Sequence, residues 1–291
     1  MSTTTQSYLA GLIGAGVTPS LTPLMHEAEA DHHGLRCIYR PIDLTALGRP
    51  AGDVGELLRI GRDLGFNAFN ITHPCKQIVI AALDDIGERA QTLGAVNTVV
   101  VHEGGRLHGY NTDVSGFGWA LTHGLREPEL DHIVQIGTGG AGSAVAYALL
   151  EAGVDRLDLL DLDAERAAAL AARLTAHFPG AQVTAHLAAA APELVPDASG
   201  VVNATPIGMA DHPGSAVDVR LLQRGQWVAD VVYRPLETAL VAGARARGCE
   251  VLDGGWMAVG QAVDAFALMT GRRADAARMR SHFLELIAAG H

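Results

Sequence analysis

Six residues, Gly137-Thr138-Gly139-Gly140-Ala141-Gly142, lie between an apolar run, Ile133–Ile136, and an alanine-rich stretch of helical character, Gly142–Ala152. The spacing is G-x-G-x-x-G, set between a strand and a helix. The first glycine permits a tight turn, the second lets a phosphate approach the backbone, and the third lets the helix pack against the strand. The start of the helix then offers free N–H groups and the positive end of its dipole. Such a turn cradles a pyrophosphate, and this setting predicts a Rossmann-type domain that binds a nicotinamide dinucleotide. The following strand ends at Asp161, about 20 residues beyond the loop, where an acidic residue is expected on the adenosine ribose. A carboxylate there accepts hydrogen bonds from the 2′-OH and 3′-OH of NAD and repels the 2′-phosphate of NADP. Leu162 follows and supplies no adjacent cation to pair that phosphate, whereas Arg166, a little further on and itself an expected cofactor contact, works against the argument. Asp163 competes for the ribose contact and also reads as the N-cap of a helix over Ala164–His177. On balance the sequence predicts NAD.

A dinucleotide domain needs a second surface that presents a substrate. Three polar clusters outside the glycine loop are candidates. Ser20-Leu21-Thr22-Pro23 carries hydroxyls at alternate positions, which point the same way in an extended chain. Asn70-Ile71-Thr72-His73-Pro74-Cys75-Lys76 follows a short apolar run. Gly94-Ala95-Val96-Asn97-Thr98 is succeeded downstream by Asn111-Thr112-Asp113.

These segments, taken in order with the glycine loop, resemble a known family. NITHPCK, GAVNT, GYNTDVSGF, the glycine loop, VVNATPIGM and GQAVDAF match the motifs of the shikimate/quinate dehydrogenase family over nearly the whole chain. The resemblance is greatest to its bacterial NAD-dependent quinate/shikimate branch, whose ribose position also reads Asp-Leu-Asp. It implies oxidation of the C3 hydroxyl of a cyclohexane or cyclohexene carboxylic acid, quinate or shikimate. It implies Lys76 as the catalytic lysine and Asp113 as its partner. It puts Ser20 and Thr22 on the substrate carboxylate, and Thr72, Asn97 and Gln261 on ring hydroxyls. Thr205, Met209, Val231 and the Asp253-Gly254 turn fall where the family lines the nicotinamide half of the cofactor. The chain departs from the pattern at Gly16-Val17-Thr18-Pro19-Ser20-Leu21-Thr22, where threonine replaces the second serine of a serine-x-serine motif. The added methyl changes the room around the carboxylate. Cys75 stands where an aromatic or bulky residue is expected.

The implied chemistry requires a proton to leave the hydroxyl as hydride leaves the carbon. A charged lysine cannot accept that proton, and a nearby carboxylate favours the charged form. Either desolvation keeps the Lys76 amine uncharged, or Asp113 and a water share the proton. An aminoshikimate-type dehydrogenase would use the same machinery. A non-catalytic NAD-binding regulator would be expected to lose Lys76 or Asp113 first, and both are present.

The elements that must position these residues alternate. Leu9–Ile13, Cys37–Arg40 and Ala68–Ile71 read as strands. Helices are expected over Pro23–Ala30, with Thr22 as N-cap, over Leu57–Leu64 and over Lys76–Leu83. Val96–Val101 and Leu107–Gly109 read as a hairpin. Beyond Val114, a helix over Gly116–His123 leads into strands at Ile133–Ile136, Leu157–Leu160, Gln182–Ala185, Gly200–Asn203 and Trp227–Asp230, each fitting a buried parallel strand. Asp113 also fits the N-cap of the helix at Gly116. A last helix pair begins near Met257. The expected fold is α/β with two domains. Residues 1–114, completed by 257–291, form an α/β substrate-binding domain, and 115–256 a doubly wound Rossmann domain.

Composition narrows the partners. With 291 residues and 48% hydrophobic content the chain can bury two cores. A formal net charge of −11 repels phosphate backbones and anionic membranes, so neither nucleic acid nor a membrane surface is an expected partner. Cys37, Cys75 and Cys249 form no CxxC pair and the histidines no HExxH, so no disulfide framework or metal site is expected. The N-terminal stretch lacks the basic flank and apolar run of a leader, which fits a reducing, cytoplasmic setting. The expected partners are a small carboxylate substrate and NAD. Monomer and homodimer both remain open.

Overall fold

The computed structural model describes residues Ser7–Gly290. Met1–Gln6, where a leader's basic flank would lie, and His291 are outside the described residues. The chain divides into two compact units. One takes the described residues of Met1–Thr112 and Gln261–His291, the other Asp113–Gly260.

The first unit is built on six strands: β1 (Ser7–Gly14), β2 (Arg36–Asp43), β3 (Ala68–Ile71), β4 (Asp85–Ile86), β5 (Thr98–Val101) and β6 (Leu107–Tyr110), in the order β2-β1-β3-β5-β6-β4. β1 pairs in parallel with β2 and β3, whereas β5 runs antiparallel to β3 and β6. The hairpin expected from the alternation around Gly104-Gly105 is therefore β5 and β6. Ile13, Phe69, Ile71 and Val99 pack on one side with Leu58 and Val79. Ala10, Leu12 and Tyr39 meet Ala265 and Met269 of the helix Gly254–Thr270 in a second cluster. Gln261 precedes Ala265 by four residues, so it lies on the same helix face as this cluster.

The second unit carries β7 (His132–Ile136), β8 (Arg156–Asp161), β9 (Gln182–Leu187), β10 (Gly200–Asn203), β11 (Trp227–Asp230) and β12 (Glu250–Leu252). All pair in parallel, in the order β12-β11-β10-β7-β8-β9. That is the doubly wound Rossmann order, with its switch point between β7 and β10. The core strands β7, β8, β10 and β11 are buried along nearly their whole length, as the inner strands of a parallel sheet are.

Several local expectations are corrected. Lys76–Leu83 forms no α-helix: only a 3₁₀ segment over Ile78–Ala82 appears, in a run whose β-branched Ile78, Val79 and Ile80 resist helical rotamers. The first helix spans Thr22–His32, and Leu21, not Thr22, occupies its N-cap. The helix expected at Gly116 starts at Thr112 and runs to Gly124, so Asp113 sits inside its first turn and is no N-cap. The last helix pair begins at Gly254, ahead of Met257. β9 is an edge strand with a half-exposed pattern, not a buried one. No helix among the described residues is long and apolar enough to cross a membrane.

Candidate active site

In the first unit the polar residues singled out above gather at one end of the sheet. Parallel pairing places the C-terminal ends of β1 and β3 side by side, and the loops that leave them are tied together. Thr72 N–H donates to Ile13 O (2.9 Å) and Ala15 N–H to His73 O (2.9 Å). A Cβ on Gly14 would lie 2.3 Å from the Thr72 methyl, so this approach needs glycine. The Thr72–Lys76 loop, which contains a cis His73–Pro74 bond, is held from its other side by Val96 N–H donating to Lys76 O (2.8 Å). Lys76 is half-buried.

Asn97 stands at the start of β5, 3% exposed, and binds the chain beyond β6. Its Oδ1 accepts Thr112 N–H (2.7 Å) and its Nδ2 donates to Thr112 Oγ1 (3.0 Å). This carbonyl takes the place of a helix cap and starts the helix at Thr112, with Asp113 next in the chain and buried. Asn70 joins the same network, donating to Asn97 O (3.2 Å) and Thr98 Oγ1 (2.9 Å), and it accepts from Tyr39 OH.

The loop that carries Ser20 and Thr22 is organised by a residue the sequence reading missed. Asp43 ends β2 opposite Gly14, 7% exposed. Its carboxylate accepts from Gly16 N–H (2.8 Å), Thr18 N–H (2.9 Å), Thr18 Oγ1 (2.6 Å) and Thr45 N–H (3.0 Å). The Thr18 hydroxyl, aided by these amides, outweighs the effect of burial and holds the carboxyl at about 2. The local signal, an Asp two residues before Thr45, reads only as a helix cap. Ser20 Oγ in turn accepts Thr22 N–H at 3.3 Å.

In the second unit the glycine loop leaves β7. Gly137 has φ +97°, and a Cβ there would lie 2.8 Å from the Ala204 carbonyl; on Gly142 it would lie 2.2 Å from Gly137 O. A Cβ on Gly139 would meet nothing within 4 Å. The helix starts at Gly140, earlier than expected, so Gly140, Ala141 and Gly142 form its first turn and present its free N–H groups. Such a cradle fits a pyrophosphate. Asp161 ends β8 beside it. Its Oδ2 accepts from Thr138 N–H (2.8 Å) and Thr138 Oγ1 (2.5 Å), and its Oδ1 from Asp163 N–H (3.0 Å) and Arg166 Nη2 (2.5 Å). Burial raises this carboxyl's pKa, but the Arg166 guanidinium and Thr138 outweigh it and hold it well below the usual range. Arg166 is therefore a cation directly on Asp161, although Leu162 is the sequence neighbour. Asp163 caps the following helix, accepting Arg166 N–H at 3.0 Å.

The other cofactor candidates follow the C-terminal ends of β10, β11 and β12, the same edge as the glycine loop. Thr205 N–H and Oγ1 donate to Asn203 Oδ1 (3.0 and 2.6 Å), and Val231 N–H donates to Asn203 O (3.0 Å). Asn203 Nδ2 donates to Asp230 Oδ1 (2.9 Å), whose carboxyl burial pushes up. Met209 is 38% exposed. A Cβ on Gly254 would fall 2.4 Å from Val232 O.

Comparison with known proteins decides the family. The model of the shikimate dehydrogenase substrate binding domain matches residues 12–99, and that of the shikimate 5′-dehydrogenase C-terminal domain matches residues 254–282. The chain is 61% identical over 289 residues to a shikimate dehydrogenase (NADP(+)) of Pseudarthrobacter chlorophenolicus, covering 99% of this chain and 98% of that one. The chain belongs to the shikimate dehydrogenase family. Within the family it is also 50% identical over 280 residues to a quinate/shikimate dehydrogenase (NAD(+)) of Corynebacterium glutamicum, covering 96% and 99% of the two chains. The solved quinate dehydrogenase from Corynebacterium glutamicum in complex with NAD superposes with a TM-score of 0.91 at 50% identity, over 96% of this chain and 99% of that one. The two-domain α/β architecture is thus that of shikimate dehydrogenase family structures.

Proposed function

We propose that this chain is an NAD-dependent dehydrogenase that oxidises the C3 hydroxyl of quinate, shikimate or both. The observation that carries the reading is the convergence of the Ser20–Thr22, Thr72–Lys76 and Asn97–Thr112 segments at one end of the first sheet. In this reading Ser20 and Thr22 bind the substrate carboxylate, and Thr72, Asn97 and Gln261 the ring hydroxyls. Asn97 keeps Thr112 as its internal partner and so is itself pre-oriented. Lys76 takes the proton from the C3 hydroxyl or relays it, with Asp113 as its partner. Gly137, Gly139, Gly140, Ala141 and Gly142 hold the pyrophosphate of NAD, Asp161 faces its ribose, and Thr205, Met209, Val231 and Gly254 line the nicotinamide side. When bound, the nicotinamide supplies the hydride acceptor.

The choice of NAD over NADP rests on charge. Asp161 and Asp163 flank a single guanidinium, with Arg166 Nη1 also 3.5 Å from Asp163 Oδ2. Two carboxylates against one cation leave the set at about −1, and a 2′-phosphate brings about −1.5 to −2 more. Leu162, 85% exposed, adds no compensating charge. The relatives named for NADP(+) set the opposing expectation, so the deciding experiment is a steady-state assay of quinate and shikimate, each with NAD and NADP. The expected result is NADH formation with at least one alcohol and a kcat/KM for NAD at least tenfold above that for NADP. No NADH with either alcohol would overturn the reading, and a preference for NADP would overturn its cofactor half.

Asp43 supplies a second test. Asp43→Ala removes the acceptor of two loop N–H groups, the Thr18 hydroxyl and the N–H of Thr45, at a cost of about 1–3 kcal/mol. The loop that carries Ser20 and Thr22 loosens, and KM for the carboxylate substrate rises more than kcat falls. Because the folded carboxyl is held at about 2, its contribution is complete above the ordinary value of 3.8 and fades as pH falls towards about 2. Urea midpoints of the variant and the unsubstituted chain should therefore differ more at pH 7 than at pH 3. An equal gap at both pH values would count against this role.

A further inference from the structure

Gln135 lies in β7 two residues ahead of the glycine loop, and its side chain is fully buried, 0% exposed. Its strand neighbours Val134 and Ile136 are apolar, as are its ladder partners Leu159 on β8 and Val202 on β10. A polar side chain at such a place is unfavourable unless its amide is used. Here it is used on the loop. Nε2 donates to Gly137 O (2.8 Å) and to Gly142 O (2.8 Å), the carbonyls of the first and last loop glycines. Both amide hydrogens thus bridge the two ends of the phosphate cradle. Among the described residues Oε1 has no hydrogen-bond partner. Turning the amide over would set Oε1 against two carbonyl oxygens, so the donor contacts fix its orientation. A methionine or leucine would bury here without an unpartnered oxygen. What distinguishes glutamine is its pair of hydrogen bonds to the loop.

The loop is also fastened at its start, and further along Ser143 N–H donates to Gly139 O (2.8 Å) and Ser143 Oγ to Gly140 O (3.0 Å). At the start, Gly137 N–H donates to Leu160 O (2.7 Å), and Thr138 is held by Asp161. We propose that Gln135 is a positioning residue for dinucleotide binding. It sets the separation of Gly137 and Gly142 and so aims the free N–H groups of the helix start at the pyrophosphate. The proposal rests on the reading that this loop binds NAD. It adds a residue that touches neither NAD nor the alcohol.

The test compares Gln135→Met and Gln135→Leu with the unsubstituted chain. NAD affinity is titrated by calorimetry at 25 °C, steady-state constants are measured with the active alcohol, and melting is followed by calorimetric scanning. The expected result is a Kd and a KM for NAD raised about tenfold or more, with kcat at saturating NAD and KM for the alcohol within twofold. A role confined to core packing would shift Tm and leave the NAD constants unmoved, and that outcome overturns the proposal. If the unsubstituted chain binds NAD but turns over no alcohol, the dehydrogenase reading falls while the titration still decides Gln135. If it binds no NAD, both fall. Should neither variant fold, the Gln135 side-chain amide protons of the unsubstituted chain are followed by NMR without NAD. Slow exchange of both protons supports the clamp, and rapid exchange of either overturns it.

Discussion

Lys76→Ala is expected to lower kcat by about 10²–10⁴-fold, the range of general acid–base catalysis, or about 3–5 kcal/mol of barrier. The size follows from what the substitution leaves intact. The backbone of Lys76 is held by Val96 N–H, and the loop that carries it by Thr72 N–H on Ile13 O. Truncating the side chain therefore removes the amine without freeing the loop. NAD affinity and Tm should stay close to those of the unsubstituted chain. Lys76→Arg sharpens the test, because a guanidinium keeps the positive charge but does not give up its proton near neutral pH. If proton movement is the role, arginine restores little. If fixed charge alone stabilises the developing alkoxide, arginine restores much of kcat. Turnover near that of the unsubstituted chain in Lys76→Ala would remove Lys76 from the chemistry.

Lys76 also illustrates what the sequence can and cannot reveal. Its motif is legible, but its local conformation is not, since the expected helix Lys76–Leu83 gives way to a turn and a 3₁₀ segment. β-Branched Ile78, Val79 and Ile80 resist the helical path, and apolar spacing alone does not show this. The glycine loop, by contrast, is a local feature between two strong periodic elements, and both its place and the β8 terminus at Asp161 can be read directly. The partners of Asp161 cannot. Thr138 reaches it because β7 and β8 are paired in register, with Ile136 opposite Leu160, so their C-terminal ends emerge side by side. Asp43 is hidden for the same reason. It lies well over twenty residues beyond Gly16, and only the pairing of Gly14 with Asp43 brings its carboxylate under the loop. The two shortest strands, Asp85–Ile86 and Glu250–Leu252, are too brief to show any period. Gln135 stands in an apolar strand, and without the turn of the loop back over it nothing marks it as more than a polar interruption.

Gly139→Ala is expected to abolish tight NAD binding while leaving the fold unchanged. The three motif glycines have different physical reasons to be glycine. At Gly137 the backbone is left-handed and a Cβ would strike the Ala204 carbonyl; at Gly142 it would strike Gly137 O. Both are demanded by the protein itself, and their replacement should lower Tm. Gly139 is extended, with φ −70°, and, its chain neighbours aside, a Cβ there meets no atom of the described residues within 4 Å. Nothing in the folded chain requires glycine at this position, so the requirement comes from whatever approaches the loop. An added methyl would hold a pyrophosphate off the N–H groups of the helix start. Losing two charge-assisted hydrogen bonds at about 1.5–3 kcal/mol each corresponds to a rise in Kd of about 10²–10⁴-fold. Calorimetric scanning should give a Tm within about 1 °C of the unsubstituted chain, and titration should show the loss of affinity for NAD and for ADP-ribose alike. Because ADP-ribose lacks the nicotinamide, an equal loss for both ligands assigns the effect to the phosphates. Unaltered affinity would mean that the pyrophosphate does not lie against Gly139, and the loop would then be a structural turn. A lowered Tm with unaltered affinity would instead mean that the chain itself, and not its ligand, fixes the residue there.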